Sequence, residues 1–289
     1  MQTRRVRTFQ RVAHKAFGLA RTAVTSPVGF LTYVIRQGVD YERYRSAGRR
    51  GLEGVIDAAI EERLRVFLES PPKRLLTSKS LDEICGPAGT ILAVPTLGEA
   101  DGSELPEPEQ LALTRIVCGV RPKTMFEIGT YRGRTTRLLA GCAQLATVHT
   151  LDLPPEDMVE GGCFHEVNSD LIGLAFREDA RTRSRIVQHY GDSRQFNFAP
   201  FRRQVDLVFV DASHAYEAVL TDSRHALEMV TNDGVVVWDD YHPVHGPGVM
   251  RALAELTTER PLLWIKGTRL AISGLLGRGS MTRDSVKAT

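Results

Sequence analysis

The sequence predicts an α/β domain, a parallel sheet covered by helices and closed by an antiparallel edge strand. Three observations predict it. From about residue 120 onward, short apolar runs alternate with longer helical patterns. The runs "VDLVFVD" and "GVVVWDD" are apolar at nearly every position, as in strands buried on both faces. The last unit, "PLLWIKGTRLAIS", reads as two strands joined by a tight turn at Lys266–Gly267, which implies the antiparallel edge.

The elements follow in order. "TMFEIG" (124–129) is a short apolar strand and "RTTRLLAGCAQL" a helix. "ATVHTLDL" (146–153) is the second strand, and residues near 168–177 form a second helix. "RIVQHYG" (185–191) is the third strand and "VDLVFVD" (205–211) the fourth, before the amphipathic helix "AYEAVLTDSRHALEMV". "GVVVWDD" (234–240) is the fifth, followed by a helix over about 247–257 and the closing hairpin. The tail, 274–289, reads as mobile.

Upstream of 120 the pattern is helical. Residues 51–69 carry Leu52, Val55, Ile56, Ala59, Ile60, Leu64, Phe67 and Leu68 at helical spacing, and "SPPK" ends that helix. The chain is then irregular to about 107, apart from a helical turn at "SLDEIC". A further helix begins near Pro108 and covers "EQLALTRIVCGV". The organisation expected is a basic helical segment over 1–50, a helical extension and linker over 51–120, the α/β domain over 121–273, and the tail.

A chain of 289 residues accommodates one large domain with an extension, or two small ones. The net charge of +2 hides an asymmetry: residues 1–50 hold eleven Lys/Arg against Asp40 and Glu42, so the rest of the chain carries −7. That makes the main domain a poor nucleic-acid binder. The four cysteines, Cys85, Cys118, Cys142 and Cys163, form no C-x-x-C pair, against a zinc site and a disulfide framework. No apolar run reaches the roughly 18–20 residues of a membrane span. The opening "MQTRRVRTFQRVAHKAFGLARTAV" has one apolar face and no acid. Three readings of it stay open: a packed helix, a membrane-surface helix with peripheral contact through residues 1–35, and an import segment. The cytoplasm is the default location, and a second copy of the chain stays open as a partner.

Ligands of such sheets bind beyond the carboxyl ends of the strands. The first turn, "EIGTYRGRTT", places Gly129 and Gly133 where the backbone must turn sharply. It is not the dinucleotide fingerprint G-x-G-x-x-G, because position 131 is tyrosine, and no Walker A lysine follows. The second strand ends at Asp152, whose carboxylate suits two ribose hydroxyls. The third runs into Asp192 and Ser193, which serve equally as helix caps. The fourth and fifth end at Asp211 and at the doublet Asp239–Asp240. Three converging carboxylates without a cation would force at least one pKa upward. An all-oxygen set suits Mg²⁺ first, then Mn²⁺ or Ca²⁺. The alternative is that one aspartate caps a helix and another meets solvent.

E-x-G-x-x-x-G after a strand resembles the first motif of class I S-adenosylmethionine-dependent methyltransferases. "VDASHAYEAVLTD" with "GVVVWDDYHP" resembles their metal-dependent O-methyltransferase branch: the catechol, caffeoyl and macrocin types, and a bacterial group with D-x-S-H-x-Y. The resemblance covers roughly 107–273. It implies a Rossmann-like, doubly wound, mostly parallel seven-stranded sheet. It implies S-adenosylmethionine held by Glu127, Gly129, Thr130, Tyr131, Gly133, Asp152, Asp192, Ser193 and Asp211. It further implies a divalent metal, Mg²⁺ first, on Asp211, Asp239 and Asp240. The reaction implied is methyl transfer to a hydroxyl of a small molecule or sugar, with Asp211 and His214 catalytic. His214 stands where catechol-type enzymes carry a lysine base, and its alternative role is a helix cap or a partner of a carboxylate. Asp240 stands where they carry asparagine. These departures argue against a catechol and leave the acceptor unnamed. Tyr216 is expected to pack, His242 and His245 to line the acceptor pocket or lie exposed, and "MVEGGCFHEVNSD" to form a lid hinged at Gly161–Gly162. Two alternatives keep the fold: a metal-independent methyltransferase, and a catalytically silent binding module anchored by the basic N-terminus.

Overall fold

The structure is a computed structural model that describes residues 72–87, 105–154, 171–243 and 245–274, with Phe67 and Ser70. The expected basic helix, most of the 51–69 helix, the lid segment and the tail lie outside the described residues.

Eight strands form one sheet. In chain order they are β1 (Thr77–Lys79), β2 (Thr124–Ile128), β3 (Thr147–Asp152), β4 (Ile186–Tyr190), β5 (Val205–Val210), β6 (Val230–Trp238), β7 (Leu263–Ile265) and β8 (Ala271–Ser273). The sheet order is β1-β7-β8-β6-β5-β2-β3-β4. Only β8 runs antiparallel to its neighbours, and β7–β8 is the expected hairpin, turning at Gly267 with φ of 86°. The Rossmann-like α/β class holds, with one more strand than expected. That strand, β1, lies in the segment read as irregular and pairs in parallel with β7. "TSK" is polar and mostly exposed, so it carries no apolar alternation to announce a strand.

Among the described residues six α-helices accompany the strands: α1 (Leu81–Cys85), α2 (Glu107–Val120), α3 (Arg134–Cys142), α4 (Leu174–Arg177), α5 (Tyr216–Met229) and α6 (Pro247–Leu256). Their starts follow from local chemistry. Ser80 and Glu83 make a reciprocal capping box for α1. Pro247 opens α6, where a missing N–H costs nothing. Side-chain alternation along the strands builds two cores. Phe126, Ile128, Val208, Val210, Val236 and Trp238 pack with α5 and α6, whereas Met125, Leu207, Phe209, Val235 and Val237 pack with α2 and α3. Each fully buried side chain of this kind contributes about 1.5–3 kcal/mol. A sheet buried on both faces demands apolar residues at every position, which is why β5 and β6 read so plainly in the sequence.

The chain leaves β2 toward β3 and β4 on one side, then returns to β5 and β6 on the other. The switch point therefore lies between β2 and β5, where a ligand site is expected.

Candidate functional site

Register sets the site. Ile128 pairs with Val210, and Val210 with Trp238, so the next residues, Gly129, Asp211 and Asp239, emerge level at the carboxyl edge. Asp211 N–H donates to the Ile128 carbonyl at 2.9 Å and Asp239 N–H to the Val210 carbonyl at 3.1 Å. Gly129, with φ of 104°, lies so close that a Cβ would run into the Asp211 carbonyl. Only glycine fits the switch point.

The turn after β2 is held by Asp152. Its Oδ2 accepts from the backbone N–H groups of Thr130 (3.1 Å) and Tyr131 (2.6 Å), and its Oδ1 from Leu153 N–H (2.8 Å). A carboxylate has about four acceptor positions, so capacity remains for a further donor. Burial raises the Asp152 pKa, and the N–H donors pull it back. Glu127, expected against the cofactor, sits behind the turn. It is almost fully buried and accepts from the hydroxyls of Thr150 (2.6 Å) and Thr136. Thr150 in turn takes the Thr130 hydroxyl at 2.7 Å, and Thr130 takes the Gln188 amide at 3.0 Å. These residues form a buttress for Thr130. Gly133 packs against Phe176 and Gly173, leaving no room for a Cβ. Asp192 forms a local turn with Arg194, accepting from its N–H (2.9 Å) and pairing with its guanidinium (2.6 Å), which lowers the Asp192 pKa. Ser193 is hydrogen-bonded to the buried carboxyl of Asp222.

At β5 and β6 the structure brings together Asp211, His214 and Asp240. One potential ligand atom from each lies within 4.8 Å of the others. His214 Nε2 is 2.8 Å from Asp240 Oδ2. Asp240 has φ of 54°, which turns it away from the strand, and a Cβ on Gly246 would meet its carbonyl. Asp239 does not join that group. Its Oδ2 faces Arg269 Nη2 at 3.7 Å, while Arg269 Nη1 reaches Asp240 Oδ1 at 3.0 Å. Arg269 stands between the β7–β8 turn and β8. Its backbone N–H donates to Glu109 of α2 at 2.8 Å, and its Nε is 3.7 Å from the same carboxylate oxygen.

The electrostatics follow. Burial, then Asp239 and Asp240, push Asp211 well above the carboxylate range. Burial holds Asp239 up at about 7 although Arg269 opposes it. Burial also works against Asp240, but Arg269 and His214 overcome it and hold this carboxylate well below its usual range. Burial likewise lifts Glu109. Burial disfavours the charged guanidinium of Arg269, yet Asp239, Asp240, Glu109 and Asp211 keep it protonated. One cation is shared among four acids.

Tyr216 packs as expected, its hydroxyl donating to Glu255 at 2.6 Å beneath Arg251. His242 is almost fully buried, and its Nδ1 accepts from His245 N–H at 3.1 Å, so it braces its own loop. Arg269 and Glu109 were not among the residues singled out from the sequence. They stand 160 positions apart, and no local pattern links them.

Residues 126–241 match the family model of a methyltransferase domain. The matched span begins in β2 and ends at Tyr241, so it contains the Gly129–Gly133 turn, Asp211, His214 and the doublet. No curated protein matches the chain. Solved structures similar to it include an O-methyltransferase of tomaymycin synthesis from Streptomyces achromogenes, in complex with S-adenosylmethionine. It is 19% identical, covering 60% of this chain and 82% of that one, with a TM-score of 0.46. A putative caffeoyl-CoA O-methyltransferase from Staphylococcus aureus is 15% identical over 83% of this chain and 98% of that one, with a TM-score of 0.45. An O-methyltransferase from Bacillus cereus with S-adenosylhomocysteine is 16% identical over 74% and 89%, with a TM-score of 0.44. The matched span lies on the Rossmann-like sheet. Among the described residues no helix is long and apolar enough to cross a membrane.

Proposed function

We propose that this chain is an S-adenosylmethionine-dependent O-methyltransferase acting on a hydroxyl of a small molecule or sugar. The observation that carries the reading is the His214–Asp240 pair beside Asp211, one switch point away from the Gly129–Asp152 turn. The turn fits the cofactor. Gly129 lets the turn lie directly against the Asp211 backbone, where a Cβ would collide, and Asp152 retains an acceptor position.

When bound, S-adenosylmethionine supplies a methyl group on a sulfonium, an electrophile that needs a nucleophilic oxygen in line. His214 takes the proton of the attacking hydroxyl as the new C–O bond forms and the C–S bond breaks. Asp240 accepts a hydrogen bond from the resulting imidazolium and keeps the ring aimed. The fixed strand ends hold both groups without reorganisation, so orientation supplies much of the rate.

A divalent ion, with His214 then a ligand and not the base, would be held by Asp211, His214 and Asp240, a mixed nitrogen–oxygen set that suits Mn²⁺ better than Mg²⁺. It would lower the pKa of the acceptor hydroxyl. The metal-independent form is favoured by one observation, the guanidinium of Arg269 already seated on the doublet. Calorimetry with S-adenosylmethionine, then an assay of S-adenosylhomocysteine release over a panel of polyols and phenols with and without Mn²⁺, tests the proposal. Absence of cofactor binding would sink it.

A further inference from the structure

Adjacent carboxylates at the end of a buried strand repel each other and require a counter-charge. Here the protein provides one from its own chain. Arg269 is mostly buried, and its guanidinium reaches Asp240 at 3.0 Å, and Asp239 and Glu109 at 3.7 Å each. The backbone N–H of the same residue donates to Glu109, and its carbonyl accepts from Tyr241 N–H at 2.8 Å. Arg269 is thus pinned at its main chain by Glu109 of α2 and by Tyr241, and at its side chain by Glu109 and the doublet. Asp239 Oδ1 is buried with no hydrogen bond, so the Arg269 contact is what compensates this carboxylate.

We infer that Arg269 is a tethered cation that takes the charge-compensating place of a divalent ion at the Asp239–Asp240 doublet and so sets the metal demand of the site. It keeps Asp239 away from the Asp211–His214–Asp240 group and occupies one oxygen of Asp240. A divalent ion then meets only two carboxylates and an imidazole, with a positive charge a few ångströms away. Coulomb repulsion at that range, in a partly buried site, weakens binding on the order of tenfold or more. The inference concerns ion affinity and does not depend on methyl transfer.

The experiment is Mn²⁺ binding to the full chain, read by electron paramagnetic resonance and calorimetry without substrate. Wild type should bind Mn²⁺ weakly. R269M should bind it about tenfold or more tighter, and its lowered unfolding midpoint should recover on adding Mn²⁺. R269K, which keeps a charge but not the fork, should bind between the two. If R269M does not fold, R269M combined with D239N removes one charge of each sign and tests the same point. Equal Mn²⁺ affinity in wild type and these variants would overturn the inference, as would tight binding by wild type. Loss of S-adenosylmethionine binding in wild type would instead overturn the methyltransferase reading and leave this one standing.

Discussion

His214 and Asp240 meet at 2.8 Å between Nε2 and Oδ2, although they belong to the loops that follow two neighbouring strands, β5 and β6. The pair joins a titratable ring to a carboxylate that Arg269 keeps ionised. An ionised partner stabilises the imidazolium formed when His214 takes a proton. H214Q and D240N should each lower kcat by about 10²–10⁴, the range of a positioned base. Cofactor affinity by calorimetry should be retained, because neither residue touches the Gly129–Asp152 turn. Equal losses in cofactor binding and in kcat would show that the pair is structural.

Asp152 carries a separate prediction, since its Oδ2 holds the N–H groups of Thr130 and Tyr131. D152A releases both donors and removes the ribose acceptor, so S-adenosylhomocysteine affinity should fall about tenfold or more, at least ~1.4 kcal/mol. D152N keeps one carbonyl acceptor and should lose less. Calorimetric titration of the two variants checks the order.

Much of this arrangement was legible in the sequence, and the boundary has a physical cause. Gly129 and Asp211 stand immediately beyond buried strands and Asp152 closes another, and a parallel sheet carries every such position to one edge. The partner of the doublet was not legible. Asp239 and Asp240 are adjacent and both meet Arg269, but φ of 54° at Asp240 sends Asp240 alone on to His214, and single-residue turns of that kind leave no pattern. Arg269 stands in an ordinary hairpin and Glu109 in the first turn of a helix, where acids are favoured in any case. Strand β1 escaped because three polar residues cannot display a period.

Glu127 predicts a pH dependence. Burial pushes its carboxyl up to about 8 against the hydrogen bonds of Thr136 and Thr150. The folded state therefore keeps a proton that the unfolded chain loses near its ordinary value of 4.5. Stability from this group is full below that value and falls as pH rises toward 8. Urea unfolding of E127Q should show a flatter decline over that window than wild type. An identical slope would mean that Glu127 is ionised in the folded protein.

The pair His149–His189 works in the opposite direction. The rings lie side by side on β3 and β4, with Nδ1 of one 3.0 Å from Nε2 of the other, among Phe126, Phe196 and Phe201. Only a pair with at least one neutral ring can make that hydrogen bond. Burial lowers both pKa values, and for His149 the neighbouring His189 lowers it further. Their contribution is full above the unfolded value of 6.5 and is lost as pH falls through the lowered folded values. Wild type should lose stability below that pH while E127Q loses it more steeply, because the compensating gain from Glu127 is gone. The double variant H149Q/H189Q should abolish most of the acid-side loss. Stability of that variant measured from pH 7.5 down to about 5 decides the matter. A decline as steep as in wild type would assign the acid sensitivity to other groups.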